Sequence, residues 1–485
     1  MRLAAASLSP VAALSILAVG CLGTAATDSG PSPQLKITSG VVNPLNALSI
    51  VIALTSAAVD SMRVEYWSDD ESRLSTPCYR QTRESTRVTV LGLHPNTQYS
   101  LKAVACGSLA TSAEIHMTAG ELPVLLQSVK LETTGVGSSG YTLTSFRRDS
   151  LGYVVAFDST GAIRWYRECD IRPGEDVVGA EQLPNGDFTV FLGASTGWQP
   201  TFGRFVQFRP TGELVRTYSS AAPYYTDVHE LVISFNDTSV AAVSLLGYDL
   251  RPRDLSSIGG NSNVLLGGHT LLRQSSQGSV VFLWSAWDHF QIEDWIEPPL
   301  PAPVVTNIDF DHPNAFIFDQ DSNYVVSFRN FGEITKIDGI SGKIIWRFGG
   351  RHNQFTIVND PLGGFSGQHS VRVLENGHIL LFDNGLRHTP PESRAVEYRL
   401  DREAMTATMV WEYRHNPPLY APFVGSVQRY EDGRTLIGFG WVSQVVEVGP
   451  SGDVLWEGVL TFDGNRAPNF YRIWKVPSLY KAQRP

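Results

Sequence analysis

Three histidines occupy matched places in a repeated pattern, each just ahead of an apolar strand, a tight polar turn and a second strand. They are His229 in VHELVISFNDTSVAAVSLL, His312 in DHPNAFIFDQDSNYVVSFRN and His369 in SGQHSVRVLENGHILLFDNG. Arg329 ends the second strand of the middle stretch. If the repeats are arranged around an axis, matched positions point to one place, and three imidazoles and a guanidinium surround one small volume. The corresponding position before RYEDG is about Gly425, so the histidines are selective rather than a uniform mark of the repeat. A lone histidine at a strand start is more often a satisfied structural residue. Three at matched positions, joined by an arginine, reverse those odds.

Three imidazoles could ligate a metal, but Arg329 beside them would repel a cation. Arginine with histidines suits a sulfate or phosphate oxyanion instead. A histidine is also a competent covalent nucleophile, since a reference pKa of about 6.5 leaves it largely neutral at neutral pH. No CxxC, CxxCH or other Cys/His pair has metal-ligand spacing, so no metal or other cofactor is expected.

The elements that must carry these residues are strands. Units ending in a β-turn and often a tryptophan recur as FDSTGAIRWYRE, FRPTGELVRTYS, QSSQGSVVFLWS, IDGISGKIIWRFGG, RLDREAMTATMVWEYRH and VGPSGDVLWEG. Hairpins such as QLPNGDFTVFLG, VLENGHILLFDNG and RYEDGRTLIGFGW alternate with them, and Asn-Gly or Asp-Gly supplies the positive φ of a two-residue turn. About six units with a period of ~45–65 residues predict a six-bladed β-propeller over residues 123–485. Radial repetition also leaves few sheet edges exposed. Residues 34–122 read as a small β-sandwich: RVTVLGLHPNTQYSLKAVA carries a Leu-x-Pro-x-Thr-x-Tyr corner at Tyr99 that resembles fibronectin type III and immunoglobulin-like domains. The expected class is all-β, a sandwich followed by a propeller.

The 485 residues, 42% hydrophobic and 18% charged, describe a globular chain of two or more domains. A formal charge of −10 argues against nucleic acid as a partner, though not against a small anion. Residues 1–21 read as an export signal: Arg2, an apolar run from Leu8 to Val19, then small residues. The run is too short, and too interrupted by Pro10, for a membrane span. Ala18-Val19-Gly20-Cys21 resembles a lipobox, which would attach a lipid at Cys21; simple cleavage around Ala25 or Ala26 is the alternative. Residues 22–33 form a polar tether, and the expected location is the periplasm or, through the lipid, the cell envelope. In an exported chain Cys78 and Cys106 are the natural disulfide, leaving Cys169 as a buried thiol. The oligomeric state is left open, a homodimer being one arrangement the sequence admits.

Several long stretches resemble the bacterial arylsulfate sulfotransferase family. They are HPNAFIFDQDSNYVVSFRN, IDGISGKIIWRFGGRHNQF, FSGQHSVRVLENGHILLFDNG, SRAVEYRLD with MTATMVWEYRH, and GSVQRYEDGRTLI. The likeness runs from about Tyr141 to the end. It implies a periplasmic six-bladed propeller that moves a sulfuryl group from an aryl sulfate donor to a phenolic acceptor without a nucleotide sulfate donor. Position by position, the resemblance makes His369 in SGQH the nucleophile that becomes sulfated. His312 and Asn314 match the family's His-x-Asn motif. Arg329, in Ser327-Phe328-Arg329-Asn330, matches its arginine, and His229 the earlier active-site histidine. The chain departs from the pattern in one respect: residues 338–368 hold no cysteine for the disulfide that precedes the nucleophile, so packing must hold that loop.

Tyr224 and Tyr225 could stack on an aryl ring. His269 and His289 read as blade packing, and His378, His388 and His415 as surface residues. Asp309 and Asp311 are too few for a calcium site. Two other readings compete: a non-catalytic propeller binding an anion or a partner, and a quinone-dependent dehydrogenase, suggested only by the tryptophan turns.

Overall fold

Buried apolar runs form the middle strands and half-exposed runs the outer ones. Tyr324–Phe328, Ile379–Asp383 and Thr435–Phe439 are buried at every position, whereas Leu214–Tyr218 is exposed at four of its five residues. A strand covered by sheets on both faces reads as a continuous apolar run; an outer strand does not. The computed structural model describes residues 34–81, 85–194, 203–237, 239–256, 260–296 and 307–480. The predicted export signal, lipobox and tether lie outside the described residues.

Among the described residues, six sheets of four to six strands follow one another from residue 129 onward, antiparallel except where the short strands Asn307–Asp309 and Thr356–Val358 add in parallel. Their inner strands are β1 (Asp176–Gln182), β2 (Tyr225–Asn236), β3 (Pro313–Phe318), β4 (His369–Val373), β5 (Ser426–Arg429) and β6 (Ile473–Val476). Each touches the next in this order, and β6 touches β1. This is the radial layout of a β-propeller. β6 pairs antiparallel with Tyr141–Arg148, so the last described strand completes the first sheet. Val129–Gly135 in turn adds to Val454–Phe462 of the last sheet.

The recurring tryptophans join neighbouring sheets. Trp165 Nε1 donates to the Pro210 carbonyl at 2.7 Å, Trp284 to Gly342 at 3.0 Å, Trp411 to Pro450 at 3.1 Å and Trp456 to Ser159 at 2.9 Å. In each case the indole of one sheet reaches a turn of the next, and Trp456 carries the pattern from the last sheet to the first.

Ahead of the propeller sheets, Gln34–Val42, Ile50–Ala57 and Ser85–Val90 form one sheet, and Ser61–Trp67 with Gln98–Ala105 the centre of another. Ile52, Leu54, Val64, Val88 and Leu101 fill the space between them. Tyr99 is fully buried and its hydroxyl accepts the His94 N–H at 3.0 Å, the local bond that makes a tyrosine corner. Cys78 and Cys106 are joined as a disulfide, with Cα atoms 6.3 Å apart. Cys169 is a buried free thiol, pushed by burial up to about 12 and therefore unreactive.

Candidate active site

Four inner strands are irregular at matching places. The register slips between Val178 and Glu181 in β1, Thr226 and Leu231 in β2, Pro313 and Ala315 in β3, and His369 and Arg372 in β4. Such bulges re-aim side chains out of the pleat. Left-handed backbone accompanies them at Gly179 (φ 69°), His312 (φ 47°) and Ser370 (φ 56°). At the matching place before β5, Gly425 has φ 119°, and a Cβ there would meet the Phe382 ring at 2.5 Å, so no side chain fits.

The three histidines converge. The His229 and His312 rings lie 4.7 Å apart and the His312 and His369 rings 6.5 Å apart. All three line one cavity of about 700 Å³. Its apolar wall comes from Phe146, Phe423, Trp441, Phe462, Phe470 and Tyr471. Tyr224 and Tyr225 border a different pocket.

Each imidazole rests its Nδ1 on a side-chain oxygen. His229 Nδ1 meets Asp227 Oδ1 at 2.8 Å, and His312 Nδ1 meets Asp309 Oδ2. His369 Nδ1 lies 2.7 Å from Asn384 Oδ1 and 3.0 Å from the Gly367 carbonyl. Asn384 Nδ2 donates to the Ala421 and Val424 carbonyls at 2.7 and 2.9 Å, which fixes the amide with its oxygen toward the histidine. Both neighbours of His369 Nδ1 can only accept, so Nδ1 holds the proton and Nε2 the lone pair.

Burial and then the Arg329 guanidinium hold His369 well below the usual histidine range. Burial, His229 and Arg329 do the same to His312. Burial pushes Asp309 up to about 7. His369 is thus a neutral base, while His312 and Asp309 share a site in which low dielectric disfavours charge on either.

Arg329 follows strand Tyr324–Phe328 in a 3₁₀ turn, and is 4% exposed. Its Nη1 donates to Asn330 Oδ1 at 2.9 Å, and its guanidinium stacks 5.1 Å from the Phe423 ring centre, behind the cavity wall. Asn314 also stands outside that wall. It is fully buried and its Nδ2 donates to the Gln368 carbonyl at 2.7 Å, so it holds the backbone next to His369 rather than facing the cavity. Gln368 is pinned in turn by Nε2 bonds to Ser327 Oγ and the Phe328 and Glu333 carbonyls, at 3.1 to 3.2 Å.

Behind the pair His229–His312 lies His269, 2% exposed. Its Nδ1 meets Asp311 Oδ1 at 2.6 Å and its Nε2 lies 3.3 Å from Asp227 Oδ2. Burial alone would lower its pKa, but the two carboxylates outweigh that and hold it well above the usual range. His269 is a buried imidazolium that orients Asp227, not a packing residue. The ligand atoms of His269, Asp309 and Asp311 come within 4.8 Å of one another, the spacing of a metal site. A cation could bind there only by displacing the His269 proton, since protonation and metal binding compete for an imidazole.

The loop before His369 is held by charge. Asp360 accepts two Arg394 bonds at 3.0 and 2.9 Å, Arg394 Nε reaches Asp383 Oδ2 at 2.9 Å, and its Nη2 donates to the Gly364 carbonyl at 2.6 Å. Asp383 Oδ1 accepts the Ser366 N–H at 3.0 Å. A fully buried guanidinium ties both ends of the loop to the strand that ends beside Asn384.

The arylsulfotransferase (ASST) family model matches residues 126–450. The chain belongs to that family. It is similar to the arylsulfate sulfotransferase AssT of Escherichia coli O6:H1 (strain CFT073), 33% identical over 92 residues, which are 17% of this chain and 15% of that protein. The chain thus matches well under two thirds of the length of this relative. Among solved structures, a protein of unknown function from Bacteroides caccae is 14% identical, with a TM-score of 0.42 over 69% of this chain and 98% of the other. A streptogramin B lyase is 10% identical, with a TM-score of 0.38 over 71% and 91%.

Proposed function

We propose that the protein is an arylsulfate sulfotransferase that moves a sulfuryl group from an aryl sulfate to a phenol through a sulfated His369. The observation that carries the proposal is the His369 imidazole, neutral, with Nδ1 committed to two acceptors, in a ring that lines a cavity walled by aromatic side chains. Nε2 attacks sulfur as the S–O bond to the aryl group breaks, and the electron pair of that bond leaves on the phenolate oxygen. By analogy with phosphoryl transfer, charge builds on the leaving oxygen. The pair His312–Asp309 protonates it. The proton held by Asp309 moves to Nδ1 of His312 as Nε2 gives up its own, leaving a carboxylate and a neutral imidazole.

The product phenol departs and an acceptor phenol enters the same cavity. His312 takes the acceptor's proton, its oxygen attacks sulfur, and the S–N bond breaks to return His369 to its starting form. Arg329 supplies fixed positive charge near the sulfuryl oxygens, and His229, oriented by Asp227, provides a second donor. Transfer in two half-reactions needs no nucleotide and no metal. An exported location, either free in the periplasm or lipid-anchored through Cys21, belongs to the same reading.

The test is 4-nitrophenyl sulfate with and without phenol. Nitrophenol release that depends on phenol, with phenyl sulfate as co-product, is the expected result. Equal release without an acceptor means hydrolysis, and no release means no enzyme of this class.

A further inference from the structure

Among the described residues the exposed aromatic side chains are Tyr420, Phe423 and Trp441, 37%, 48% and 45% accessible. They come from two segments that meet at one edge of the histidine cavity. Large aromatic rings left in water mark a surface that something apolar covers. Phe423 and Trp441 form an edge-to-face pair, ring centres 5.6 Å apart, and both line the cavity.

The segment bearing Phe423 is held in a demanding conformation. Val424 adopts φ 56°, a left-handed value that is an outlier for a β-branched residue. Such strain persists only where the surroundings over-determine it, and it clusters at ligand clamps. Here Asn384 binds the Ala421 and Val424 carbonyls, the Ala421 N–H donates to Ser393 Oγ at 2.9 Å, and Gly425 N–H donates to the Tyr471 carbonyl at 3.2 Å. The amide that fixes the His369 tautomer therefore also fixes the Phe423 segment.

The Phe423 ring lies 5.1 Å from the Arg329 guanidinium and 5.6 Å from the Trp441 indole, so both neighbours hold it in place. The cavity of about 700 Å³ is several times the volume of one phenol ring, and Phe423 and Trp441 are lining rings that stand half open to solvent. We propose that Phe423 and Trp441 form an outer subsite for the second ring of a two-ring phenol, which makes such phenols the preferred acceptors. This rests on the sulfotransferase reading for its reaction, though not for its binding.

The experiment measures dissociation constants of phenol and 4-hydroxybiphenyl by calorimetry, for the wild-type chain and Trp441→Ala. One aromatic contact is worth up to about tenfold. The wild type is expected to bind 4-hydroxybiphenyl more tightly, and the preference is expected to fall about tenfold in Trp441→Ala. Trp441→Leu, read by the same ratio, serves if the alanine variant does not give a native circular dichroism spectrum. Equal affinity of the wild type for both phenols, or a preference unchanged on substitution, overturns the subsite. Preferential binding without any sulfuryl transfer overturns the reaction and leaves the subsite standing.

Discussion

Asn384 accepts the Nδ1 proton of His369 at 2.7 Å while its own amide protons are spent on the Ala421 and Val424 carbonyls. The side chain has one orientation available, and so the histidine has one tautomer. Asn384→Leu keeps the volume and removes that control. We expect kcat to fall about 10- to 100-fold, the cost of one buried hydrogen bond lost with its partner left behind. KM for the donor should change little, as measured by steady-state nitrophenol release.

Arg329→Ala removes the fixed positive charge beside the histidines, and His312→Ala removes the proton donor to the leaving oxygen. Turnover should drop by about 10²–10³ in each, with circular dichroism unchanged. Near-normal rates in both would remove them from the site.

The Asp309–His312 pair sets a pH dependence. Asp309 is pushed up to about 7, so below that pH it carries the proton that His312 passes to the leaving phenolate, and above it the proton is lost. With phenyl sulfate, a donor whose leaving group needs protonation, kcat/KM should fall about tenfold per pH unit above the break. Asp309→Asn should flatten this limb. With 4-nitrophenyl sulfate, whose phenolate leaves readily, the limb should be shallow in both.

Arg394→Met cuts the buried ion pairs that hold the loop before His369. Removing one partner of such a set costs about 3–5 kcal/mol, because the Asp360 and Asp383 carboxylates stay behind without their cation. Thermal unfolding should show a large drop in Tm. Reductant, in contrast, should leave the donor half-reaction untouched, since Cys78 and Cys106 join segments of the N-terminal sheets, far in sequence from His369.

The histidines were legible because a strand start is written locally, in a few apolar residues and the turn that follows. The same holds for Tyr99, whose corner closes within five residues of the chain. His269 was not legible: it lies mid-strand beside a tryptophan-rich run, and its meaning comes from Asp227 and Asp311, each far away in sequence. Asn384, inside FDNG, reads as a turn former until the fold brings His369 against it. His388 and His415 are surface residues by pattern, yet both are largely buried: His388 lies against the Glu392 carbonyl, and His415 beside Glu457. Asn314 falls between the two cases. Its place beside His312 is visible in sequence, but the direction of its amide, toward the Gln368 carbonyl, belongs to the packing of β3 on β4.

The central claim is a covalent sulfuryl group on His369, and mass spectrometry of the donor-treated protein tests it most directly. Supplied with 4-nitrophenyl sulfate and no phenol, the wild-type chain should gain one SO₃ on the peptide containing His369, and lose it when phenol is added. His369→Asn should show neither the adduct nor transfer. An adduct absent from the wild type treated with donor alone, or transfer at the wild-type rate in His369→Asn, would contradict the account.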